Sequence, residues 1–173
     1  ARAAKRRVCE FKPQELASTA WSFSAVNHRD EKLFAALARA AEQRVSEFNA
    51  QALANTAWAF ATVNRSDEKL FTALARAAEQ RVSEFNAQGL ANTAWAFATV
   101  NRPDEQLFTA LARAAGRRMS NFNAQGLANS AWIFAIVNRR DEQLFSLLAT
   151  AAGQRVSEFH TQGLANTAWA FAT

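Results

Sequence analysis

Three columns of polar residues carry the groups that could do chemistry in this chain. Gln14, Gln51, Gln88, Gln125 and Gln162 recur at one spacing, and Ser18, Asn55, Asn92, Asn129 and Asn166 recur at the same spacing, one helical turn further on. A carboxamide offers both a donor and an acceptor, so such a ladder can pair with base edges, grip a peptide backbone, or bond to its own neighbours and to water. The third column is Arg7, Arg44, Arg81, Arg118 and Arg155, whose forked guanidinium suits phosphate and carboxylate oxygens. His28 and His160 are the only histidines, and they fall at different places in the repeat. Neither has a partner at ligand or hydrogen-bond spacing. Acidic pairs of the Asp30–Glu31 type stand at helix starts, where capping and the helix dipole account for them. The chemistry on offer is recognition: no catalysis, metal, cofactor or small-molecule substrate is expected.

The columns share a period of 37 residues, marked by Trp21, Trp58, Trp95, Trp132 and Trp169, and all 14 phenylalanines keep the same register. A fixed period of this length signals supersecondary units that bury their apolar faces only by stacking on one another. In the unit from Phe48 to Glu84, Asn49 is a suitable N-cap, Phe48 and Leu53 form a hydrophobic staple, and Pro13 occupies the Ala50 position in a sister unit. Leu53, Ala54, Ala57, Trp58, Phe60 and Ala61 then recur at helical spacing, which predicts a helix A over residues 50–63. Asn64, Arg65 and Ser66 make a short connection, because Pro103 stands at the Ser66 position. Asp67 and Glu68 open helix B, with Leu70, Phe71, Leu74, Ala77, Ala78 and Val82 on its inner face. The expected fold is all-α, an α-solenoid of tandem 37-residue antiparallel helix pairs.

Aligned by the period, residues 1–10 are a partial unit, 11–47, 48–84, 85–121 and 122–158 are whole units, and 159–173 is a second partial one. Solenoids end in polar capping repeats, so the chain reads as a piece of a longer protein. The basic start ARAAKRRVCE matches Ala38 to Glu47 and reads as repeat, with no targeting peptide in this segment. The longest apolar run, Ala131 to Val137, is far short of the roughly 20 residues that cross a bilayer. Of the net charge of +5, residues 1–10 contribute +3 and the unit 85–121 contributes +2, the rest summing to zero. Charge alone therefore shows no repeating basic stripe. Cys9 stands where other units have Ser46, Ser83, Ser120 and Ser157, and reads as a serine substitute in a reducing compartment. Gly89, Gly126 and Gly163 share a column with Glu15 and Ala52, so they read as helical residues and not as phosphate-binding turns.

Projected on a helical wheel, helix A carries one polar strip of Gln51, Asn55, Ala59 and Thr62. Stacked A helices turn that strip into ladders on one face of the solenoid. The tryptophans sit at the edge of the apolar face, either as inter-unit core or as stacking platforms. Arg39, Arg76 and Arg113 fall on the polar side of helix B. Arg44, Arg81, Arg118 and Arg155 project into its apolar arc, where they must pack on a ring and reach a helix C-terminus, or else meet phosphate.

The string FNAQGLANTAWAFATVNRPDEQLFTALARAA, in which an -LANxAWAFA- helix precedes -DExLFxALARAA-, resembles the octotricopeptide-type repeat and its 37-residue heptatricopeptide variant. The match runs the length of the chain. This resemblance implies helical-pair solenoids that bind single-stranded transcripts in chloroplasts or mitochondria and act on RNA stability, processing or translation. It also implies base-facing positions on helix A. The expected RNA-binding residues are Gln51, Asn55, Gln88, Asn92, Gln125, Asn129 and Asn166, with Arg44, Arg81, Arg118 and Arg155 at phosphates. The alternative is a scaffold, a peripheral piece of a large organellar assembly whose amide ladder holds an extended peptide or a partner surface.

Overall fold

A computed structural model describes residues 7–137 and 142–173 of the chain. Among these residues every regular element is helical. The A helices are α1 (Pro13–Ala25), α3 (Ala50–Thr62), α5 (Ala87–Thr99), α7 (Ala124–Ile136) and α9 (Thr161–Ala172). The B helices are α2 (Glu31–Arg44), α4 (Glu68–Gln80), α6 (Glu105–Arg117) and α8 (Glu142–Gln154). Together they form the expected all-helical repeat stack, in an A layer and a B layer. Basic residues 1–6, and residues 138–141 with the expected Asp141 helix start, lie outside the described residues.

The start signals act as the sequence predicts. Asn49 Oδ1 accepts from the Ala52 amide at 2.8 Å, Asn86 from Gly89 at 2.7 Å and Asn123 from Gly126 at 2.8 Å. In the last unit His160 takes over, its Nδ1 accepting from the Gly163 amide at 2.9 Å. Lys12 has no acceptor to offer at this position, and Glu15 instead reaches back to the Lys12 amide at 2.7 Å, half of a capping box. Helix B begins on an aspartate whose carboxylate accepts a backbone N–H, as Asp67 does from Leu70 at 3.0 Å and Asp104 from Leu107 at 2.9 Å.

Two features of the ends go beyond the sequence reading. The helices α1, α3 and α5 each close on an asparagine in the left-handed region, at φ 53° for Asn27, 56° for Asn64 and 53° for Asn101. Beyond it the Arg65 amide donates to Phe60 O at 2.8 Å and the Asn64 amide to Ala61 O at 2.9 Å, a Schellman closure that satisfies the last carbonyls. At the other end of the unit, helix B stops before Val82, and a tight 3-10 turn of Val82–Glu84 carries the chain into the next unit. Val45–Glu47, Met119–Asn121 and Val156–Glu158 repeat it. Val82 is thus a half-buried turn residue and not the last inner residue of helix B. The turn drives Phe48, Phe85 and Phe122 into the core.

Successive A helices make the most extensive contacts in the molecule, and B helices pack on B helices and on their own A partners. The layers are knitted by edge-to-face phenylalanine pairs that cross from one unit to the next. Phe34 meets Phe60 at 5.3 Å, Phe71 meets Phe97 at 5.1 Å, Phe108 meets Phe134 at 5.8 Å and Phe145 meets Phe171 at 5.5 Å between ring centroids. Such contacts add to the burial of the rings themselves. The tryptophans take an intermediate place. Trp58 stacks at a 34° tilt between Trp21 and Trp95, with centroids 6.4 and 6.2 Å away, and its ring is only half-buried. Trp21, Trp58 and Trp95 thus form an inter-unit ladder along one margin of the A layer, and Trp21 and Trp169 are exposed.

Candidate nucleic-acid interface

Gln51, Gln88 and Gln125 sit in the first turn of their A helices and are exposed; Asn55, Asn92 and Asn166, one turn on, are half-buried, and Asn129 is exposed. Among the described residues none of these carboxamides makes a hydrogen bond, so the ladder is not held together by bonds between its own rungs. Instead the amides line grooves between neighbouring A helices. Gln51, Asn55, Gln88 and Asn92 line a cavity of about 600 Å³ between α3 and α5. Gln88, Asn92, Gln125 and Asn129 line one of about 750 Å³ between α5 and α7. A smaller one of about 280 Å³ between α7 and α9 holds Gln125 and His160. Asn166 is not among the residues lining these three grooves. The N-cap asparagines Asn49, Asn86 and Asn123 line the grooves too, a contribution that their capping role conceals in the sequence.

The predicted polar strip needs a correction at Ala59, which is fully buried together with Ala96, Ile133 and Ala170 at the same place in other units. Ser22, the α1 counterpart, is exposed, so this column faces the preceding A helix. Small side chains there let successive A helices approach closely. Thr62 is half-buried and returns its hydroxyl to Trp58 O at 2.9 Å. Ile133 is the exception in the column, and α5 and α7 touch each other over less of their length than the other A neighbours. The groove between these two helices, at about 750 Å³, exceeds the other two described above in volume.

The arginine column is fixed by hydrogen bonds to backbone carbonyls. Each side chain leaves the end of helix B and reaches back to a backbone carbonyl at the junction that opens its own unit, on the near side of the boundary for Arg44 and Arg155 and on the far side for Arg81 and Arg118. Arg81 Nη2 donates to Ser46 O at 2.8 Å and Arg118 Nη2 to Ser83 O at 2.6 Å, while Arg44 and Arg155 donate to Phe11 O and Phe122 O. These bonds fasten the end of helix B to the junction between its unit and the one before, and those of Arg81 and Arg118 staple consecutive units. Most of the column is also paired within its own turn. Arg44 meets Glu47 at 2.7 Å, Arg155 meets Glu158 at 2.6 Å, and Arg81 lies 3.9 Å from Glu84. Hydrogen bonding from the arginines holds the Glu47 and Glu158 carboxyls below the usual carboxylate range, against a smaller upward push from burial. The carbonyl acceptors were out of reach of sequence reasoning, since every residue has one; the unbroken arginine column one period from the preceding turn was the available signal.

Arg39, Arg76 and Arg113 are exposed, as expected. Cys9 is exposed in the turn Val8–Glu10. Among the described residues no cluster of histidine, cysteine and carboxylate groups could hold a metal ion, and no helix is long and apolar enough to cross a membrane.

A stack of helix pairs with amide-lined grooves between its A helices defines a helical-repeat protein. The chain belongs to the family described as RNA-editing substrate-binding complex 6 protein, whose family model matches residues 1–173. No curated protein matches the chain. The resemblance to octotricopeptide repeats therefore holds at the level of a helical-repeat protein, and the matching family is a different one.

Proposed function

We propose that this chain is a non-catalytic segment that holds single-stranded RNA within an RNA-editing substrate-binding assembly. The observation that carries the reading is the row of carboxamides with no internal partner, Gln51, Asn55, Gln88, Asn92, Gln125 and Asn129, opening into consecutive grooves. Unstacked bases present donors and acceptors on their edges that such amides match. The family's description, substrate binding for RNA editing, supports a role in binding over one in catalysis. It narrows the expected action on transcripts to editing, and it favours a mitochondrial site of action, with nothing in its favour for the chloroplast. The arginines other than Arg118 belong in this reading to holding the stack.

Titration of the four RNA homopolymers at about 0.15 M salt tests it, because base readers discriminate while phosphate contacts do not. One homopolymer should bind best, and Asn92→Ala with Asn129→Ala should weaken it by roughly 1–3 kcal/mol per lost contact and leave the poorer ones almost unchanged. Equal binding of all four by the parent and the variant would sink base reading. A second reading, a protein scaffold in the same assembly, is favoured by the carboxylates Glu84 and Glu158 on the groove walls, which repel phosphate. Loss of all RNA binding together with retained capture by an editing-complex protein would favour it.

A further inference from the structure

One groove departs from its sisters in charge as well as in volume. Helix B ends -AEQRVSE in the units where Arg44 and Arg81 stand, but -AGRRMSN where Arg118 stands. Gly116 replaces a glutamate, Arg117 replaces a glutamine and Asn121 replaces the glutamate that pairs with the arginine elsewhere. Among the described residues no carboxylate lies within ion-pair distance of Arg118. Its one protein bond is the Nη2 donation to Ser83 O at 2.6 Å, which leaves most of the five N–H groups of a guanidinium unspent. Arg118 lines the groove between α5 and α7, where the other two grooves have no arginine or lysine on their walls. Asn121 lines it beside Arg118, its Oδ1 taken by the Ser120 hydroxyl at 3.4 Å and its amide nitrogen left as a donor. Asn123 likewise spends Oδ1 on its cap at 2.8 Å and keeps its nitrogen. Glu84 on the same wall is the opposing charge, and Arg81 lies 3.9 Å from it.

We propose that Arg118, with the amide nitrogens of Asn121 and Asn123, is a phosphate-binding site that anchors one backbone phosphate of single-stranded RNA in the groove between α5 and α7. The proposal rests on the RNA-binding reading above and adds to it a fixed point. Near-identical amide grooves would let a strand slide by one unit; a single unneutralised arginine in the groove between α5 and α7 sets the register. A forked guanidinium flanked by two amide donors matches the demand of a phosphodiester's two non-bridging oxygens for several donors at once.

The test measures oligouridylate and oligoadenylate binding by the whole chain across a salt series. Arg118→Gln should weaken both RNAs alike and lower the slope of log affinity against log salt by roughly 0.7, the value for one phosphate of a single strand. Asn121→Glu, which rebuilds the pair of the sister units, should reproduce that loss with the melting temperature of the parent. Arg81→Gln should lower the melting temperature and leave the salt slope unchanged. If the parent binds RNA with a salt slope that survives both Arg118→Gln and Asn121→Glu, the anchor is wrong while the RNA reading stands. If the parent binds neither RNA at any salt, both fall together.

Discussion

At the scale of single residues, the arginine column shows one side chain type put to two uses. Arg44, Arg81 and Arg155 tie the end of helix B to a carbonyl at the junction that opens the unit and steady themselves on the glutamate three residues on. A folded-state carboxyl held below its unfolded value contributes stability that is complete above the unfolded pKa and is lost as pH falls through the folded one. The Glu47 and Glu158 staples should therefore weaken on acidification and be indifferent to alkali up to the arginine range. Carboxyl-carbon NMR should find both midpoints below those of the same residues in the unfolded chain, and Glu158→Gln should remove part of the acid dependence of melting. Midpoints at the unfolded value would mean that these hydrogen bonds do not persist in solution. Because the pairs lie at the surface, their contribution is modest and screened by salt. The column was visible in the sequence, and its destination was not. A wheel projection continues helix B through Arg81, whereas the backbone leaves the helix there, so the side chain points across the unit boundary and not into the arc.

At the scale of elements, the beginnings of helices were legible and their ends less so. Pro13, Asn49, Asp67 and the Phe48–Leu53 staple all mark starts, because a start needs a particular side-chain acceptor or a fixed φ. The C-terminal ends are written in conformation. Asn27, Asn64 and Asn101 look like ordinary loop residues until their φ values of 53°, 56° and 53° reveal the left-handed closure. Asparagine tolerates that region and alanine does not. Asn101→Ala should cost roughly 1 kcal/mol, whereas Asn101→Gly should be neutral or slightly stabilising. Urea denaturation checks this: the midpoint should drop for alanine and hold for glycine, at constant m-value. Equal losses for both would move the stabilisation from the backbone conformation to the asparagine side chain. The 3-10 turns left no mark in the sequence, since Val-Ser-Glu fits a helical end equally well.

At the scale of the molecule, the 37-residue period made the fold readable, and the same regularity hid what is particular to it. Reading near-identical units invites treating departures such as Ile133 and Asn121 as noise, yet Asn121 lines the groove between α5 and α7 and Ile133 is buried in α7 beside it. Ile133 occupies a buried column of alanines that faces the preceding A helix, so its size is set against the close approach that the other units keep. Truncating a buried isoleucine to alanine costs about 2–5 kcal/mol, with the larger figures where the surroundings cannot collapse. Here they can, because every other unit demonstrates the closed spacing with alanine in place. Ile133→Ala should therefore fall near the lower figure, about 2 kcal/mol by thermal melting, and a crystal structure of the variant should show α7 drawn in against α5 and the groove narrowed. The same variant should bind RNA less well without a change in melting cooperativity, since nearest-neighbour coupling between units is kept. A loss near 5 kcal/mol with α5 and α7 still apart would show that the gap is set elsewhere, by the turn Met119–Asn121 and its two arginines, and that Ile133 merely fills it.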